Sequence, residues 1–337
     1  MDITNTGVLS NSADHLWGLA LAGGEGIRLQ GFIKKIYGVV HPKQYCAITG
    51  TRSMLRHTID RARMLIARDQ LYTIVNGSHL HYVREQLNDQ PDRTVIVQPC
   101  SRETGPAILL SLLHIYHRDP QSVIALFPSD HFVLNERRFM EHISAAYMFV
   151  RMHPKQSVLL GVKPDRAEDE YGWIEPGEKT FSQGSSVLHS IKGFLEKPGS
   201  AIAEALHRNG ALWNTLVLVG KVESMLLQFQ KLMPEVFSPL QKIWRVLDTD
   251  LQHDIVGEVF QKLPSVNFSR AILERSHHLY TVMPLTDVYW SDWGNERQIL
   301  KDIERFNLRQ RGHSAAQRKS YLRPAAQLDQ LAIAPSG

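Results

Sequence analysis

Between residues 16 and 152 the chain repeats one pattern, and that pattern limits its architecture more than any single motif. Short apolar runs at 17–22, 71–75, 94–97 and 123–127 lead into polar or glycine-rich loops: Gly23-Gly24-Glu25-Gly26, Asn76-Gly77, Gln98-Pro99 and Pro128-Ser129-Asp130. Between them, residues 53–67, 79–87, 105–117 and 137–152 carry helical spacing. Almost wholly apolar strands alternating with amphipathic helices predict an α/β fold, a mostly parallel central sheet with helices on both faces.

The second half is less regular. Residues 157–161 read as a strand, 172–176 and 187–195 as a hairpin-like pair, 201–208 as a helix and 211–219 as another strand. A helical stretch over 225–247 is broken at Pro234, strands follow at 279–284 and 287–290, and a last helix covers 296–308. Beyond Gly312 the sequence has no hexapeptide periodicity, so no C-terminal β-helix is expected. The expected organisation is one catalytic domain over 16–308, a polar, disordered segment at 1–15 and a flexible, basic, Ala/Gln-rich tail at 309–337.

Charge and cysteine usage narrow the function. The net charge of +4 sits in the tail, where residues 301–337 hold seven of the 38 basic and three of the 34 acidic residues, leaving the rest neutral. A broad nucleic-acid surface is therefore not expected, and Tyr321 alone gives the tail no aromatic interleaving. Two cysteines, Cys46 and Cys100, cannot frame a disulfide scaffold or a four-cysteine zinc site and read as free thiols. No apolar run is long enough to span a bilayer, and residues 1–15 lack the Lys or Arg of a signal peptide, which points to a cytoplasmic protein.

In open α/β sheets ligands bind beyond the carboxyl ends of the strands. The first such end reads Leu21-Ala22-Gly23-Gly24-Glu25-Gly26-Ile27-Arg28-Leu29. Three glycines in four positions let backbone N–H groups approach a phosphate, and Arg28 can neutralise charge there. No Gly-Lys-Ser/Thr follows, and Leu29 replaces the third glycine of a dinucleotide fingerprint. Lys43, on a proline-stiffened loop, could serve a polyphosphate or lie on the surface, as could Lys34 and Lys35. Asp130 and Asp292 each follow a strand and precede a helix. Together they could share a Mg²⁺ ion, or Asp130 could be a plain helix cap. Glu196 can accept from sugar hydroxyls and Lys197 can meet a monophosphate, the alternative being a surface ion pair. Trp213 reads as an aromatic wall or a core residue, His131 as a structural histidine, and the pairs His79/His81 and His277/His278 as surface residues.

The order of these pieces resembles the sugar-1-phosphate nucleotidyltransferases, most closely their mannose-1-phosphate guanylyltransferase (GDP-mannose pyrophosphorylase) branch. The resemblance covers roughly residues 16–300 and rests on LAGGEGIRL (21–29), PKQ (42–44), QPCSRETGPA (98–107), FPSDHF (127–132), YGWIEPG (171–177), FLEKP (194–198), LWNT (212–215) and YWSDWGN (289–295). It implies a Rossmann-like nucleotide-diphospho-sugar transferase fold. Leu21, Ala22, Gly23, Gly24, Gly26, Gln98, Arg102, Thr104 and Pro106 would lie at the nucleotide, with Arg28, Lys43 and Asp130 in catalytic roles. Asp130 and Asp292 would hold Mg²⁺, while Gly172, Glu196, Lys197 and Asn214 would face the sugar phosphate. The implied reaction is nucleotidyl transfer from GTP to mannose 1-phosphate, releasing pyrophosphate. UTP or dTTP with glucose 1-phosphate, and a non-catalytic nucleotide-sugar-binding regulator, are the alternatives. Expected partners are the nucleoside triphosphate and the sugar 1-phosphate, without nucleic acid or membrane; the subunit count stays open, a homodimer among the options. Departures fall near base and sugar: Ile27 where the family has Thr, Gln30–His41 in place of a WPLS-like stretch, RETGPA for RNTAPA, and Leu216 after WNT.

Overall fold

A computed structural model of the chain describes residues 14–183 and 186–308. The expectations for 1–15 and 309–337 lie outside these residues, apart from Asp14 and His15, where the His15 carbonyl already accepts from Val123 N.

The strands are β1 (Leu16–Ala22), β2 (Leu71–Asn76), β3 (Val95–Gln98), β4 (Val123–Pro128), β5 (Phe132–Leu134), β6 (Ser157–Val162), β7 (Gly172–Gln183), β8 (Ser186–Glu196), β9 (Leu212–Lys221), β10 (Tyr280–Pro284) and β11 (Tyr289–Ser291). Nine of them form one sheet in the order β3-β2-β1-β4-β9-β6-β10-β8-β7. The first four run parallel, as do β6 and β10. Only β9 and β8 run against the rest, which gives the mostly parallel sheet the sequence predicts.

Alternation along β1 shows why helices cover both faces. Leu16, Ala20 and Ala22 join a core with Leu55 and Ile59 of helix Met54–Ala62 and with Ile143 and Tyr147 of helix Glu136–Met152. Trp17 and Leu19 join the opposite core, with helix Thr104–Arg118 and residues Val222 to Phe229. Side chains two apart on a strand share a face, so a continuous apolar run supplies two cores at once.

Some boundaries differ from the sequence reading. The helix expected at 53–67 is Met54–Ala62, started by Ser53, whose hydroxyl accepts from Arg56 N at 3.1 Å. The break at Pro234 divides Val222–Leu232 from Pro234–Trp244, with proline at the first turn, where its missing N–H is least costly. The helices Gln30–Tyr37 and Gln252–Lys262 went unread, as did the helical run from Ser269–Leu273 into Glu274–Ser276. The first matters to the site, because Phe32, Ile33 and Ile36 pack with Trp293, Ile299 and Ile303 in a third apolar cluster. That cluster ties the segment after β1 to the late residues around Asp292. No helix among the described residues is long and apolar enough to cross a membrane.

Candidate active site

The loop after β1 is fastened from behind. Ser129 Oγ donates to the Leu21 carbonyl at 2.6 Å, Tyr45 Oη to that of Ala22 at 3.1 Å, and Gln44 Nε2 to those of Ala22 and Gly24 at 2.9 and 2.7 Å. These bonds pin the loop from behind, and a Cβ on Gly24 would meet nothing within 4 Å, so that part of the loop is open to a ligand. Gly26 has φ +60° and sits against Lys43, where a Cβ would lie 3.0 Å from the Lys43 nitrogen. Only glycine fits that conformation and that approach comfortably.

The segments of Asp130 and Asp292 come together because β5 and β11 form a short antiparallel ribbon, pairing Ser291 with Phe132 and Trp290 with Val133. Continuing the register past Ser291 brings the Asp292 segment beside Asp130. Lys43 closes the gap. Its ammonium pairs with Asp130 Oδ2 at 2.9 Å and donates to the carbonyls of Asp292 at 2.5 Å and Trp293 at 3.3 Å. The lysine is thus buried (side chain 5 % exposed), contrary to a surface reading. Arg28 lies more openly, 3.6 Å from Asp292 Oδ2 and 3.6 Å from Glu170. Burial works against the Asp130 charge, but Lys43 and then His131 outweigh it and hold the carboxyl below its usual range. His131 is structural, as expected. Its Nδ1 accepts from Trp290 Nε1 at 3.3 Å, and burial lowers its pKa to about 4.

The sugar-side candidates gather at three adjacent strand ends. Gly172 opens β7, opposite Glu196 at the close of β8, while Asn214 lies near the start of β9. A Cβ on Gly172 would come within 2.7 Å of Glu196 Oε2 and 3.2 Å of Asn214 Cβ, so the three are contiguous. Lys197 takes φ +51° and donates its N–H to the Tyr171 carbonyl at 3.0 Å. Glu196 N donates to Glu274 Oε1 at 2.7 Å. Burial raises the Glu196 carboxyl pKa, with Lys197 opposing the shift. Tyr171 joins the two ends, since its hydroxyl donates to Asp292 Oδ1.

A protein-family model described as Nucleotidyl transferase matches residues 17–307. The chain belongs to that family. Among curated relatives it is 30% identical over 286 residues to mannose-1-phosphate guanylyltransferase ManC of Salmonella typhimurium. It is 29% identical over 290 residues to mannose-1-phosphate guanylyltransferase 2 of Escherichia coli O157:H7. Each match covers 83% of this chain and 58% of the relative, so the chain spans little more than half their length. A Thermus thermophilus structure described as a mannose-1-phosphate geranyltransferase shares the fold at TM-score 0.71 and 22% identity, over 85% of this chain and 78% of that one.

Not every expected residue is free to meet a ligand. Arg102 donates to the carbonyls of Phe260 and Gln261 at 3.0 and 2.9 Å, and Thr104 Oγ1 accepts from Phe268 N. Their side chains brace the 260–268 segment, and Pro106 is buried beside them in helix Thr104–Arg118. Trp213 is core, 4.7 Å edge-on to Tyr171. His79 is buried, correcting its assignment to the surface, because Tyr45 packs on its ring at 5.5 Å and Tyr82 stacks on Tyr45. Sequence reasoning did not single out Tyr171, whose hydroxyl ties Asp292 to the hairpin. Its signal was a tyrosine directly before the glycine that opens the hairpin.

Proposed function

We propose that this chain transfers a guanylyl group from GTP to mannose 1-phosphate, forming GDP-mannose and pyrophosphate. The observation that carries the proposal is the Lys43 bridge. One buried ammonium fixes both carboxylate loops beside the glycine loop, and Tyr171 links that unit to Gly172, Glu196 and Asn214. The relatives' names support the choice of guanine and mannose within this chemistry.

A phosphate monoester is already nucleophilic at neutral pH, so the chain need supply no general base. What it must overcome is repulsion between two polyanions, together with their alignment. The glycine-loop amides and Arg28 neutralise the triphosphate and the departing pyrophosphate. Glu196 orients the hexose through its hydroxyls, and Lys197 meets its phosphate. Lys43 fixes the separation of the two carboxylates and adds positive charge where the reacting phosphates converge.

Asp130 and Asp292 suit Mg²⁺. Both are oxygen donors in the number that ion takes from protein, and each keeps an oxygen without a close cation: Asp130 Oδ1 lies 3.8 Å from the neutral His131 ring and Asp292 Oδ2 3.6 Å from Arg28. Mg²⁺ takes only one or two carboxylates from protein and completes its shell with water and substrate phosphates. When bound, Mg²⁺ would supply Lewis-acid neutralisation of phosphate charge.

Pyrophosphate release with Mg²⁺, testing GTP, UTP, dTTP, ATP and CTP against mannose 1-phosphate and glucose 1-phosphate, checks the proposal. Release confined to GTP with mannose 1-phosphate is expected. Release with another pair would replace the substrates, and silence from folded protein would favour a binding-only role.

A further inference from the structure

An acidic side chain is out of place on a loop that receives a polyphosphate, yet Glu25 stands between Gly24 and Gly26. The structure turns it aside. Its Oε1 accepts from Asn76 Nδ2 at 3.3 Å, and its Oε2 lies 3.6 Å from His79 Nε2. Asn76 closes β2 and His79 follows it by three residues; both are buried, while the Glu25 side chain remains 45% exposed. Two anchored partners therefore hold one carboxylate at the rim, over the carboxyl ends of β1 and β2.

A second acceptor lies next to it. Gln98 closes β3 and packs under the glycine loop, where a Cβ on Gly23 would meet its Nε2 at 2.4 Å and the Asn76 backbone nitrogen at 3.8 Å. Gln98 is 2% exposed, and its Oε1 is buried without a hydrogen-bond partner. A buried acceptor left unpaired is costly, so the arrangement suits a ligand that donates to it. The patch thus offers a carboxylate and an amide oxygen, both acceptors, beside a loop built for phosphates.

Among the nucleobases, guanine alone presents two adjacent donors on its pairing edge, N1–H and N2–H₂. Adenine and cytosine each offer one amino group beside a ring acceptor, and uracil and thymine one N–H between two carbonyls. A carboxylate takes N1–H and one N2 hydrogen side by side, leaving the other N2 hydrogen for a second acceptor. We infer that Glu25, oriented by Asn76 and His79 and flanked by Gln98 Oε1, is the residue that reads guanine in this chain. The inference rests on the guanylyl reading above and adds the group that selects the base.

The test compares GTP with ITP, which lacks the 2-amino group. kcat/KM with mannose 1-phosphate and Kd for each nucleotide alone are measured for the wild-type chain, Glu25→Gln and Glu25→Ala, with thermal melting as the check on folding. The wild-type chain should prefer GTP over ITP and over ATP by on the order of 10- to 100-fold. Glu25→Gln should lower the GTP/ITP ratio about 10-fold through KM and Kd, with Gln98 Oε1 retaining what remains of it. A GTP-selective wild-type chain whose ratio survives in both folded variants overturns the assignment and leaves the guanylyl reading standing. Equal tightening of every nucleotide in Glu25→Gln would also overturn it, because the carboxylate would then only repel phosphate. A wild-type chain that prefers UTP or dTTP overturns the guanylyl reading, and this assignment with it.

Discussion

The two ends of the candidate site treat their carboxylates in opposite ways. At the nucleotide end Asp130 is held below its usual pKa, because Lys43 and His131 outweigh burial. At the sugar end Glu196 is pushed above its usual pKa, because burial outweighs Lys197. The backbones do not separate the ends, since residues other than glycine take positive φ at both: Trp293 (+45°) beside Asp292, and Lys197 (+51°) and Leu216 (+56°) at the sugar end. The nucleotide end is neutralised in advance. The sugar end stores unfavourable burial that a ligand can relieve.

Lys43→Ala should break the nucleotide end most severely. It removes the bridge between the two carboxylate loops, and kcat should fall on the order of 10²–10³-fold or more, with the mannose 1-phosphate KM moving less. A steady-state comparison that finds most of the activity intact would contradict the role. Tyr171→Phe, which keeps the ring and deletes the donor to Asp292, should act at the junction of the two ends. Roughly a 10–100-fold weakening of Mg²⁺ or Mn²⁺ binding is expected, read as the metal concentration for half-maximal rate and as metal affinity of the chain alone. An unchanged metal dependence would detach Tyr171 from the site.

Thermal unfolding as a function of pH separates the ends directly. A depressed carboxyl stabilises the fold above its unfolded pKa and loses that contribution as pH falls through the folded value. Asp130→Asn should therefore unfold earlier than wild type at pH 7, the gap closing only below the ordinary Asp pKa of 3.8. A raised carboxyl favours the fold in acid and loses that contribution as pH rises through its folded value. Glu196→Gln should therefore unfold later than wild type at pH 7, and its advantage should be gone by the ordinary Glu value of 4.5. Shifts of the same sign at pH 7 would erase the contrast. The smallest effect is expected from Lys197→Gly. Relief of the left-handed conformation should stabilise by about 1 kcal/mol, while loss of the ammonium raises the sugar-phosphate KM.

The contrast also explains what could be read from residues alone. Strands β1 to β4 and their loops follow local rules, with apolar runs stopped by glycine, proline or asparagine, and their limits were legible to within a residue or so. The ribbon of β5 and β11 was not, since it pairs residues more than 150 positions apart and only that pairing places Asp292 beside Asp130. Helix Gln30–Tyr37 was hidden by Gly31 in its first turn and by its paired lysines, although Phe32, Ile33 and Ile36 lie on one face. His79 looked like a surface residue because nothing local announces the Tyr45 and Tyr82 rings that cover it. At the sugar end FLEKP and WNT flagged Glu196 and Asn214, but their contact through Gly172 depends on the register of three strands.

The most direct test of the account is phosphorus NMR of GTP and mannose 1-phosphate incubated with the chain and Mg²⁺, beside Lys43→Ala. The account predicts that the mannose 1-phosphate signal gives way to the paired diphosphate signals of a nucleotide sugar, with inorganic pyrophosphate accumulating in equal amount, and that the variant leaves the spectrum nearly unchanged. GDP and inorganic phosphate as products, or equal turnover by Lys43→Ala, would contradict it.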